Sequence, residues 1–140
     1  GYQRGKSRSW IMRGQAAGLP SYDTLLELSG EDHLDQIREV VLRDHGLSEL
    51  GTFLQPLRAL EVLSLSDNQL CSLDGCAIMA GLLVLNINFN RVTSLEPLTS
   101  CRSLTKLYAS NNKVATMAPL VACPELRVLS LFHNCIASLD

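Results

Sequence analysis

Aromatic side chains are scarce in this sequence: Phe, Tyr and Trp make up 5% of its 140 residues, although 46% are hydrophobic. Its core must therefore be aliphatic, and a chain of this length can bury one without covalent staples. None of the five cysteines, at positions 71, 76, 101, 123 and 135, stands in a CxxC pair, and their number is odd. A closed disulfide framework is excluded, and no zinc-knuckle or dithiol motif is present. No Asn-X-Ser/Thr sequon occurs. The longest apolar run, Cys76 to Leu85, is about half of what a membrane span needs, and no secretory apolar stretch with a cleavage site opens the chain. The expectation is a soluble, cytoplasmic protein without a membrane partner.

Excess charge is missing as well. The formal net charge is −2, which disfavours direct contact with nucleic acid or an anionic surface. The distribution is uneven: Arg4, Lys6, Arg8 and Arg13 give residues 1–20 a charge of +4 with no acid, leaving −6 for the remainder. Residues 1–20 read as a basic arm, flexible or leader-derived, with Met12 as a candidate start. Trp10 could centre a docking peptide within residues 1–13.

What the chain does have is a period. Leu60, Leu82, Leu104 and Leu126 are spaced by 22, and each opens a similar segment. The first runs Leu60-Glu-Val-Leu63-Ser-Leu65-Ser-Asp-Asn68-Gln-Leu70-Cys-Ser-Leu73. The others align on Leu85, Ile87, Asn90, Val92 and Leu95, on Leu107, Ala109, Asn112, Val114 and Met117, and on Leu129, Leu131, Asn134, Ile136 and Leu139. A fifth copy lies 23 residues upstream, at Ile37, Val40, Leu42, His45, Leu47 and Leu50. The L-x-L step alternates as a short strand requires, so stacked copies give a parallel sheet over an aliphatic spine. Asn68, Asn90, Asn112 and Asn134 fall where the chain leaves the strand. Their carboxamides can both donate to and accept from backbone groups that the turn leaves unpaired, which makes an asparagine ladder. The return segments are too short for long helices, and Pro97 and Pro119 fit short 3₁₀ or irregular turns. Upstream, residues 22–28 read as one or two helical turns, and Ser29-Gly-Glu-Asp32 offers an N-cap for a second short helix running into Ile37.

The L-x-x-L-x-L-x-x-N-x-L-x-x-L pattern resembles the leucine-rich-repeat family, and within it the 22-residue subfamily typified by a regulatory subunit of protein phosphatase 1. The resemblance covers roughly residues 34–140. It implies an α/β solenoid, a right-handed superhelix with its parallel sheet on the concave face and 3₁₀ or irregular segments on the convex side. Residues 21–36 would form a helical N-terminal cap, and residues 37–140 five repeats, the last incomplete. Such a cap keeps the first coil's core dry. The chain stops at Asp140 in mid-repeat, which reads as a fragment whose last coil has no polar cover and would favour self-association. Relatives of this type act as phosphatase-1 regulators, axonemal dynein light chains and ciliary or centrosomal adaptors, and one is a spliceosomal protein.

No catalytic constellation stands out. His33, His45 and His133 are distributed along the solenoid, and strands four repeats apart are separated by about 20 Å, so His45 and His133 cannot share a site. No glycine-rich phosphate loop or paired carboxylates occur, and no enzyme activity, cofactor, metal or small-molecule substrate is expected. His45 replaces the ladder asparagine, either as a ligand-binding or pH-sensitive group or as a degenerate terminal residue. Cys101 and Cys123 share a register and should be neighbours, as a metal or disulfide pair or as ordinary core thiols. Cys76 reads as core and Cys135 as the exposed thiol.

A protein-binding surface is the remaining candidate. Outward positions on and just after the strands place Arg43, Asp44, Asp67, Asn86, Asn88, Phe89, Tyr108, Asn111, Phe132 and His133 on the concave face. Aromatics at solvent-facing positions, ringed by small polar groups, mark a recognition patch, and Phe89, Tyr108 and Phe132 should touch across adjacent strands. Asp44 and Asp67 suggest a basic-amphipathic partner, a helix or a globular domain. The expected function is a non-enzymatic interaction module of cytoskeletal, ciliary or phosphatase-regulating type. The alternative is a ribonucleoprotein component that binds an RNA-binding protein.

Overall fold

The L-x-L steps build short strands, three residues each in all but the first. In the computed structural model, which describes residues 12–13 and 18–137, they form strands β2 (Glu39–Arg43), β3 (Val62–Ser64), β4 (Val84–Asn86), β5 (Lys106–Tyr108) and β6 (Val128–Ser130). All pair in parallel, in sequence order, with Val62 opposite Val84, Lys106 opposite Val84, and Val128 opposite Lys106. A two-residue strand β1 (Met12–Arg13), within the segment read as an arm, pairs with β2 at Leu42 and Arg43. The rest of that segment up to residue 17, and residues 138–140 with Leu139, lie outside the described residues.

On the far side the chain returns through 3₁₀ turns at Asp74–Cys76, Glu96–Ser100 and Ala118–Ala122. Pro97 and Pro119 sit in the first turn of the latter two, where a missing N–H costs no hydrogen bond. Gly75 takes the same register as these prolines, and a Cβ there would fall 2.7 Å from Leu50 Cβ. The first two coils are therefore packed closer than any side chain allows.

The cap is a helix, α1 (Tyr22–Ser29), followed by a 3₁₀ turn at Leu34–Gln36. Ser21 Oγ accepts from the Thr24 N–H, and Gly30 closes the helix at φ 76°. This corrects the cap read from the sequence. Ser29 ends α1 rather than starting the second element, because Gly30 supplies the left-handed residue that stops a helix. The 3₁₀ turn is entered instead through Gln36, whose Oε1 accepts from the N–H groups of Asp32 and His33. Tyr22 stacks on Phe53, with ring centroids 5.5 Å apart, and donates to the Phe53 carbonyl.

One core runs the length of the solenoid: Val40, Leu63, Leu85 and Leu107 are fully buried, as are Leu42, Leu65, Ile87 and Ala109 behind them. The fifth copy differs. Leu129 is 40% exposed, and Leu126, Leu131 and Ile136 are only partly buried. The asparagines join the coils. Asn90 Oδ1 accepts from the Leu70 N–H of the previous coil, and its Nδ2 donates to the carbonyls of Leu65 and Ile87. Asn68, Asn112 and Asn134 repeat this bonding one coil apart.

Leu85→Ala should lower stability by about 2–5 kcal/mol through the cavity it leaves, and Asn90→Ala by about 1–3 kcal/mol by stranding buried backbone groups. Leu129→Ala should cost clearly less than Leu85→Ala. Urea denaturation of the three variants checks the assignment, and equal losses at residues 85 and 129 would contradict it.

Candidate functional site

Beyond each strand the chain must turn sharply while keeping its hydrogen bonds to the next coil. It does so with one left-handed residue per repeat, immediately before the ladder position: Asp44, Asp67, Phe89, Asn111 and His133 have φ between 56° and 60°. Their N–H groups still pair across coils, as in Asp67 to Asn88 O, Phe89 to Ser110 O and Asn111 to Phe132 O, at 2.7–2.9 Å. Asp, Asn and His tolerate this conformation comparatively well, whereas a bulky aromatic does not. Phe89 is the exception in the row, and it is 54% exposed. Its backbone strain is thus not repaid by burial of the ring.

The expected recognition residues fall into two groups. Arg43 and Asp67 are paired with each other, Arg43 Nε to Asp67 Oδ2 at 3.3 Å, so the acidic character anticipated from Asp67 is largely cancelled. Asp44 is exposed. Asn86, Asn88 and Tyr108 are half-buried on the sheet face, Asn111 is half-buried at its turn, and His133 is exposed. Phe132 is the most open ring, at 72%. The carboxamide oxygens of Asn86 and Asn88 are already engaged, accepting from the N–H groups of Asn88 and Ser110. Ser110 Oγ continues the row, accepting from the Phe132 N–H and lying 2.6 Å from Ser130 Oγ. A polar seam therefore satisfies the backbone across these coils, and each of the two asparagines keeps its NH₂ group and one oxygen lone pair for a ligand.

The three rings do not form a cluster. Among the described residues the ring pair is Tyr22 with Phe53. Tyr108 lies opposite Asn86 and Ser130, whereas Phe89 is three positions further along its own coil than Asn86, about 10 Å at strand spacing. Adjacent strands bring together equal registers, and these aromatics occupy unequal ones. The lane two residues past the left-handed position, whose register marked Cys135 as exposed, also faces outward. There Gln69, Arg91, Lys113 and Cys135 are exposed, and their N–H groups donate to Leu47, Leu70, Val92 and Val114 carbonyls of the preceding coil at 2.8–2.9 Å.

The cysteines on the return side form a thiol ladder. Cys101 Sγ donates to Cys76 O at 3.4 Å, and Cys123 Sγ to Leu98 O and Cys101 O at 3.4 and 3.5 Å. These thiols satisfy 3₁₀-turn carbonyls much as the asparagines satisfy the opposite edge. Burial pushes Cys76 from the ordinary 9.0 up to about 12, with the neighbouring Cys101 adding to the effect. Burial, and secondarily Cys123, raises Cys101 to about 11, and burial raises Cys123. Cys135 is exposed as expected, and so is Cys71, which fringes a shallow groove of about 470 Å³ with Asp74, Ser94 and Glu96. His45 is buried, and its backbone N–H donates to Asn68 Oδ1. Among the described residues no group of three or more His, Cys, Asp or Glu could hold a metal ion. No helix among them is long and apolar enough to cross a membrane.

A family model described as Leucine Rich repeats (2 copies) matches residues 80–121 and 102–140. The fold is a leucine-rich-repeat solenoid. Its solved neighbours include internalin C2 of Listeria monocytogenes, at 27% identity and a TM-score of 0.69, covering 87% of this chain and 51% of that one. A leucine-rich-repeat protein of Leptospira interrogans matches at 25% identity and a TM-score of 0.73, over 91% of this chain and 32% of its own. A chain of the Drosophila melanogaster SNF/U2A' complex matches at 25% identity and 0.61, over 71% and 60%. The present chain thus spans from about a third to three fifths of these proteins. No curated protein matches the sequence significantly.

Three outcomes follow from this geometry. Phe89→Asn should raise stability by about 1 kcal/mol by relieving the left-handed backbone, and an unchanged or lower denaturation midpoint would show that the ring's packing offsets the strain. A small thiol reagent at neutral pH should label Cys71 and Cys135 at once, and Cys76, Cys101 and Cys123 only on unfolding. The buried thiols keep their protons when folded and lose them from about pH 9 when unfolded, so their contribution is complete below that pH. Stability should then fall as pH rises toward about 11–12, a trend that denaturation curves at successive alkaline pH values would reveal or refute.

Proposed function

We propose that this chain is a non-enzymatic protein-interaction module whose partner docks on the concave face, across repeats two to five. The carrying observation is Phe89: an exposed aromatic held in a strained backbone conformation where every equivalent turn uses Asp, Asn or His. Strain without internal compensation is characteristic of binding sites. Phe132, at 72% exposure, and the half-buried Tyr108 add apolar area on the same side, and the ladder-bonded coils hold these groups in place before a partner arrives, which lowers the ordering cost of binding.

The 22-residue period and the helical cap support a role as a cytoplasmic adaptor of the cytoskeletal or ciliary kind, or as a phosphatase regulator. The similarity to a chain of the SNF/U2A' complex supports a second reading, a ribonucleoprotein component that grips an RNA-binding protein. Both use the same face and differ only in the partner.

Truncating Phe89 and Tyr108 together to Ala should reduce capture of the native partner at least tenfold, since buried interface anchors each contribute about 2 kcal/mol. The melting temperature should not fall, because neither ring belongs to the spine. Arg102→Ala, on the return side, should leave capture unchanged. A pull-down paired with circular dichroism reads both quantities. Retained capture by the double variant, with loss on Arg102→Ala, would place the interface elsewhere.

A further inference from the structure

Charge is sorted along the solenoid in a way that the total conceals. The segments 82–95, 104–117 and 126–137 contain Arg91, Lys106, Lys113 and Arg127 and no Asp or Glu. The first two coils carry the acids of this face, Glu39, Asp44 and Asp67. There, cations are matched one coil on: Arg38 to Glu61 at 3.4 Å and Arg43 to Asp67 at 3.3 Å. Arg91 and Lys113 have no such partner among the described residues. Their row neighbours are Gln69 and Cys135, and the cross-coil hydrogen bonds of Arg91 and Lys113 to Leu70 and Val92 fix the two backbones about one strand spacing apart. Like charges held in equal register on adjacent coils repel each other, weakly at these exposed positions. The same coils hold the strained, exposed Phe89, two residues before Arg91, and the open ring of Phe132 beside His133. Three uncompensated costs thus coincide in one stretch: paired cations, backbone strain and exposed apolar area.

We propose that repeats three to five bind an acidic peptide segment bearing apolar side chains, its carboxylates on Arg91 and Lys113 and its apolar groups on Phe89 and Phe132. This names the partner chemistry for the proposed concave-face interaction, and it reverses the basic partner suggested by Asp44 and Asp67, since Asp67 is already neutralised. A peptide fits better than a nucleic acid. The exposed rings of Phe89 and Phe132 suit apolar side chains, and the exposed Asp44 of the first coil would repel a continuous polyanion.

The test is a fluorescence-polarisation titration of the chain with a labelled peptide of alternating Glu, Phe and Leu. Its arms are the same peptide with Lys for Glu, and a labelled single-stranded RNA. The acidic peptide should bind, more weakly as salt rises, and the Lys peptide should not. The charge reversal Arg91→Glu with Lys113→Glu should weaken binding about tenfold or more, the neutral Arg91→Gln with Lys113→Gln by less, and both variants should keep the parent's circular dichroism. Equal binding of the two peptides, tighter binding of RNA, or indifference to the charge reversal would overturn the proposal. The concave-face reading fails separately: native-partner capture that survives Phe89→Ala with Tyr108→Ala sinks that reading, whereas capture that survives only the charge reversal sinks the acidic-peptide proposal alone.

Discussion

The asparagine between coils is the interaction on which this molecule depends. A strand of three residues, as at Val62–Ser64, makes too few ladder bonds to hold its place, and the turn after it exposes carbonyls and N–H groups that no strand neighbour reaches. One carboxamide repairs this by bonding at once to its own turn and to the coil before it. The bond is possible only if successive asparagines fall in equal register, so the ladder enforces the repeat length. Residues 68, 90, 112 and 134 keep a spacing of 22, and the leucine spine keeps the same spacing because it shares that chain. The thiols of Cys101 and Cys123 do similar work on the opposite edge, toward carbonyls of the return turns. A weak donor suffices there because the 3₁₀ turn already supplies most of its own bonds.

Register explains how much could be read in advance. The spine, the ladder, the sheet order and the short return turns all follow from period and residue type, since each is a local choice repeated under one constraint. The cap was less legible. Its boundary hinges on whether Ser29 begins or ends an element, and a single glycine in the left-handed region decides that. The candidate surface was legible by position but not by energy. Phe89 could be assigned outward from register, yet its strained φ becomes visible only when it is set beside Asp44, Asp67, Asn111 and His133. Likewise Asn86 and Asn88 look like open hydrogen-bonding groups in a sequence, and only coordinates reveal that their oxygens serve the backbone. The pairing of Arg43 with Asp67 changes the electrostatic reading in the same way. Interactions one coil apart couple residues about 22 positions distant, which composition and motif do not weigh.

The division between spine and surface also determines what sequence change can do here. Inward positions are bound to the period: in the first four copies nearly all are buried against the neighbouring coils, so alteration propagates as a cavity. Outward positions in the left-handed row and two residues beyond it make their cross-coil ladder bonds through the backbone, which leaves their side chains free to vary in charge and size without breaking the ladder. The Asp-to-Phe-to-His succession along one row, from Asp67 through Phe89 to His133, is what such freedom permits. A solenoid can therefore present a graded surface, acidic at one end and cationic and aromatic at the other, on a scaffold whose hydrogen bonding hardly changes from coil to coil. Those rows are the places where the repeats of this chain differ while its backbone does not.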